Sequence, residues 1–124
     1  MRIAVALAAA ALLAAPAQAA MDVATFLAKA DALKAKGPLA LFSSDLKLLK
    51  AEMTAAGQQL KAEKAARDKA GLPPRTCPPK GGGARLGATE FLDELRRMPV
   101  AQQRTTALKD GLIWVGQRRY PCNA

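Results

Sequence analysis

An all-α fold is what this sequence predicts: a small bundle of four or five helices stapled by one disulfide, behind a cleaved signal peptide. Three observations point there. Apolar residues recur at helical spacing in several segments bounded by capping residues and by Gly or Pro stops. Only GLIWVG, residues 111–116, reads as a strand, and a single strand has no partner to pair with. Finally, the chain has two cysteines, Cys77 and Cys122, and an N-terminus of export type.

That N-terminus reads MRIAVALAAAALLAAPAQA. Arg2 supplies a positive start, Ile3 to Ala15 is an apolar run of thirteen residues, and Pro16 stops any helix ahead of the small-x-small signal Ala17-Gln18-Ala19. The run is too short to span a bilayer, which needs about 20 apolar residues. Residues 1–19 are therefore expected to be a signal peptide, and removing 19 of 124 residues leaves 105, enough for a single domain over 20–124. From Ala20 onward there are 26 large apolar side chains, a modest core for which one covalent staple matters.

Asp22 is placed to cap a first helix over VATFLAKADALKAK, where Phe26, Leu27, Ala30 and Leu33 form one apolar stripe. Gly37-Pro38 stops it. The following LALF, residues 39–42, is short enough for one helical turn and is expected to pack inward. Ser43-Ser44-Asp45 opens the longest helix, with either serine as cap and with Leu46, Leu49, Met53 and Leu60 on its apolar face. Glu63 and Arg67 stand four apart and are expected to pair across one turn. The end of this helix is poor in large apolar residues, so it is expected to be exposed and to fray until Gly71 closes it and Pro73-Pro74 forbid continuation. Prolines 73, 74, 78 and 79 stiffen the loop around Cys77, and Gly81 to Gly83 release it. Thr89 is expected to cap a third helix with Phe91, Leu92, Leu95 and Met98 inward, and Asp93 and Arg97 stand four apart on it. A last helix is predicted over Val100 to Arg119, opened or interrupted at Pro99. It carries Leu108, Gly111, Leu112 and Val115 on one face, with Trp114 at its edge.

In an oxidising compartment, two cysteines can make one intramolecular pair. A bond between Cys77 and Cys122 is the expectation, and an intermolecular bond is the alternative left open. A metal site lacks ligands, because there is no histidine and no Cys-x-x-Cys, and a nucleophilic thiol would lack a histidine base. Ser44-Asp45-Leu46-Lys47 matches Ser-x-x-Lys without its companion motifs, and helix capping accounts for Ser44. KGGGARLGAT lacks the Gly-Lys-Ser/Thr ending of a phosphate loop. Glu90, Asp93 and Glu94 suit the dipole of a helix start without any catalytic role. An enzyme is thus not expected, nor is a cofactor or metal.

Charge narrows the partner. Without Arg2 the chain keeps 18 basic and 10 acidic residues, a net +8, and residues 71–89 carry Arg75, Lys80 and Arg85 with no acid. For an exported chain this points to an acidic protein, anionic lipid or the anionic wall, and not to nucleic acid. A basic surface with no specific target is the plainer alternative. Arg96-Arg97 and Arg118-Arg119 read as solvated basic faces near helix ends before they read as contact patches.

One resemblance covers nearly the whole chain beyond the leader. The succession of FLAKADALKAKGPLALFSSDLKLLKAEM, CPPK, an intervening helix and a terminal RRYPC is similar to the Rap/Tai family of periplasmic immunity proteins. It is strongest at Thr76-Cys77-Pro78-Pro79 and Tyr120-Pro121-Cys122, and rests on the order of the parts. The resemblance implies an all-helical periplasmic protein with one disulfide that neutralises a cell-wall amidase toxin of type VI secretion. Such proteins occlude the toxin's cleft, often as homodimers. Only the two cysteines carry over position by position. Arg75, Lys80 and Arg85 are the candidate partner contacts, on a basic loop able to meet an acidic cleft. Two other classes stand beside this reading: an acid-stress chaperone, which the absence of histidine disfavours, and an envelope-associated structural protein.

Overall fold

The first helix starts where the sequence places its cap. In a computed structural model that describes residues 20–79 and 86–122, the Asp22 carboxylate accepts the Thr25 amide at 2.7 Å and α1 runs Val23–Ala35. The expected signal peptide and two of the candidate contacts, Lys80 and Arg85, lie outside the described residues. Gly37, at φ 57°, turns the chain into a 3-10 helix, Gly37–Phe42. Helix α2 covers Ser44–Lys69, with Ser43 as its cap through a 3.2 Å bond from the Asp45 amide. Gly71, at φ 72°, then reverses the chain. Helices α3 (Ala88–Arg96), α4 (Val100–Gln103) and α5 (Leu108–Arg119) complete the bundle. Among the described residues there is no strand, only a single bridge between Asp22 and Ala107. No described helix is long and apolar enough to cross a membrane.

The core forms where the expected stripes meet. Val23, Phe26, Leu27 and Leu33 of α1, Leu49 and Ala56 of α2, Leu95 and Met98, and Leu108 and Val115 of α5 are buried. Phe26 meets Phe91 edge to face, with centroids 6.5 Å apart. Helix α5 packs against α1, α2 and α3. Gly111 permits that approach, since a Cβ there would lie 2.7 Å from Val23 Cγ2 and 3.3 Å from Leu95 Cδ2.

Several expectations are corrected. The LALF segment does not pack inward: Leu39, Leu41 and Phe42 are 70%, 73% and 88% exposed. A 3-10 helix repeats every three residues, so Gly37, Ala40 and Ser43 share one side, and Ala40 alone packs against the core. Helix α3 begins one residue before Thr89, with Gly87 at the cap position, because the Gly87 carbonyl already accepts the Phe91 amide at 2.9 Å. The single last helix is divided. The Thr105 and Thr106 hydroxyls donate to the Gln102 carbonyl, at 3.3 and 2.7 Å. Meanwhile the Thr106 carbonyl and Leu108 amide are taken by Val23 and Met21 across the bridge, each at 2.9 Å. Buried Gln103 donates its side-chain amide to the Met98 carbonyl at 2.7 Å, which satisfies the turn between α3 and α4.

The i,i+4 pairs also rearrange. Glu63 turns to Lys109 and Arg75, and Arg67 donates instead to the Pro73 carbonyl at 2.8 Å. Asp93 pairs with Arg96, which also reaches Asp31 at 2.6 Å. The hydrogen bond from Arg96 to Asp31 raises the guanidinium's pKa further above its ordinary value. Arg118 reaches Glu94 and lies 4.8 Å from the centre of the Trp114 ring, and Arg119 reaches Glu90, so these arginines are engaged within the bundle.

Candidate partner-binding groove

Cys77 and Cys122 are joined, with Cα atoms 5.0 Å apart across a sequence separation of 45. The bond ties the end of α5 to the proline segment, and the Cys77 amide adds a 2.9 Å hydrogen bond to the Tyr120 carbonyl. Thr76 settles on Gly116, where a Cβ would lie 2.8 Å from Thr76 Cγ2, so the absent side chain lets the segment lie close on α5. Residues 73–78 thereby run back past the second half of α2, and the Arg67 bond to Pro73 holds the return.

Between α2, this segment and α5 lies an open groove of about 380 Å³. Leu60, Leu112 and Ile113 supply apolar surface, Pro74 and Pro78 form one wall, and Lys61, Lys64, Arg67 and Arg75 give it a basic rim. The rim's acids are engaged: Lys64 bonds Asp68 at 2.6 Å, and Glu63 takes Lys109 and, at 4.0 Å, Arg75. Arg67 Nε is buried without a hydrogen-bond partner among the described residues. Such a surface suits a segment carrying apolar side chains together with a carboxylate or carbonyl oxygen.

Of the three expected contact residues, Arg75 lines this groove, half-exposed, and is drawn toward Glu63. The sequence reading missed Lys61, Lys64 and Arg67 because it treated the end of α2 as a free, fraying tail. The available signal was Gly71 followed by Pro73-Pro74, which returns the chain alongside that helix.

The hydrogen bond from the Lys109 ammonium, reinforced by the charges of Arg75 and Arg67, lowers the Glu63 pKa below its ordinary 4.5. The same bond raises Lys109 above its ordinary 10.5. For Glu63 the stabilisation is present above pH 4.5 and is lost as pH falls through the lowered folded-state value. For Lys109 it is present below pH 10.5 and is lost as pH rises through the raised value. Glu63→Gln is therefore expected to flatten the acid limb of the stability profile, measured by urea unfolding between pH 2 and 7; an unchanged limb would show that the pair adds nothing.

Comparison with protein-family models, with curated proteins and with solved structures finds no match.

Proposed function

We propose that this chain is a periplasmic immunity-type binding protein that neutralises a type VI secretion cell-wall amidase effector by occluding its active site. The observation that carries the reading is the groove: an apolar floor with a basic rim, walled by the disulfide-anchored proline segment and opening beside Arg75. The order of segments that resembles the Rap/Tai family supplies the class of partner. An acidic, partly apolar surface on the effector would find charge complementarity at Lys61, Arg67 and Arg75, while the staple keeps the wall in place at little entropic cost on binding.

The test is capture from periplasmic and secreted proteins of the source strain, with the oxidised chain from Ala20 onward as bait. The expected result is one stoichiometric partner that cleaves peptidoglycan and is inhibited by the bait. The Arg75→Glu/Lys80→Glu/Arg85→Glu variant should associate about tenfold more slowly, with a flatter salt dependence. A captured partner without wall-cleaving activity, no partner at all, or many clients held only in acid would each defeat the proposal, the last in favour of a chaperone.

A further inference from the structure

The exposed 3-10 helix poses a separate question, independent of the groove. Leu39, Leu41 and Phe42 protrude from one turn, and Leu48, on the second turn of α2, is 39% exposed. Gly37 at positive φ and Pro38 at the start of the turn hold this apolar tip in a preset conformation. Lys34 and Lys36 immediately precede it, and Lys47 and Lys50 follow it within two turns of α2. All four lysines are exposed, and none forms an ion pair among the described residues. Lys36 donates to Ser43 at 3.3 Å, which holds its ammonium at the foot of the tip. Between residues 32 and 51 the sole acid is Asp45, and Lys29 neutralises it.

We propose that this end of the molecule docks on an anionic lipid surface, with Leu39, Leu41 and Phe42 entering the interface and the lysine collar meeting the lipid phosphates. Three features favour lipid over a protein. Leu39, Leu41 and Phe42 stand largely free of the rest of the molecule, and a fluid interface accepts such side chains without a matching pocket. Its collar is made of lysine alone, a residue depleted from protein interfaces yet suited to headgroups, where the stem lies along apolar surface and the ammonium stays in water. Among the described residues the arginines are elsewhere, most of them engaged with acids of the bundle or with the Pro73 carbonyl.

Flotation of the oxidised chain from Ala20 onward, which contains every core residue described, with phosphatidylcholine vesicles with and without phosphatidylglycerol tests this. Binding is expected only to the anionic vesicles, and it should weaken with salt. Leu41→Ser and Phe42→Ser should each lower the partition coefficient about tenfold. Lys47→Gln and Lys50→Gln should each lower it about fivefold, the effect of one basic residue near an anionic surface. Lys69→Gln, which removes the same single charge at the far end of α2, should leave it nearly unchanged. Since the substituted side chains are exposed, melting curves should match the parent and show that folding is intact. The proposal is overturned by absence of binding at low salt, by equal loss in the distant lysine variant, or by serine variants that bind like the parent. A dimer in sedimentation velocity that Phe42→Ser dissociates would overturn it as well, assigning the tip to a second copy.

Discussion

Replacing Cys77 and Cys122 by serine is expected to lower the unfolding free energy by about 4 kcal/mol, the loop-closure value for a separation of 45 residues. A domain of this length has roughly 5–10 kcal/mol in all, so the change removes a large share of it. The melting temperature should fall by about 20 °C. Direct native contacts of the two sulfurs contribute little, because both cysteines are exposed; the bond acts chiefly by restricting the unfolded chain. Urea unfolding should therefore show a lower midpoint and also a steeper slope, since the unstapled chain exposes more surface when it unfolds. A loss below about 1 kcal/mol would mean that the proline segment is held by its backbone bond and by Thr76 without need of the sulfurs.

Leu95→Ala should cost about 3–4 kcal/mol. The side chain is wholly buried where α1, α3 and α5 meet, and Gly111 allows α5 to approach it so closely that little slack exists for collapse around a cavity. Leu41→Ala removes the same atoms from a 73% exposed position and should change stability by less than about 0.5 kcal/mol. Denaturation of the two variants side by side separates burial from side-chain chemistry, and equal losses would contradict this account of the core.

The helices and their inward faces were legible because periodicity and stops are local signals. Asp22 and Ser43 cap, Gly71 closes, and Phe26, Leu33, Leu49, Leu95 and Val115 are buried as their spacing predicts. The errors share a different cause. LALF is apolar enough to be buried, yet the three-residue period and the neighbours of Ala40 decided which side faced the core. The division after Gln103 needed the Met21–Val23 backbone, some eighty residues earlier, to claim the carbonyl and amide on either side of Ala107. Likewise Glu63 left Arg67 for Lys109, a choice made only when α5 lies against α2. For the candidate site, the sequence pointed to Arg75 and to the cysteine pair; the α2 half of the groove depended on the course of the chain after Gly71.

Helix α5 packs against α1, α2 and α3 and follows all three along the chain. Until the segment from Leu108 onward has been made, Val23 and Leu95 lack the neighbour that Gly111 brings against them. A stop codon ahead of Leu108 is therefore expected to leave three helices without their shared partner, and Cys77 without the cysteine that ties it to the end of α5.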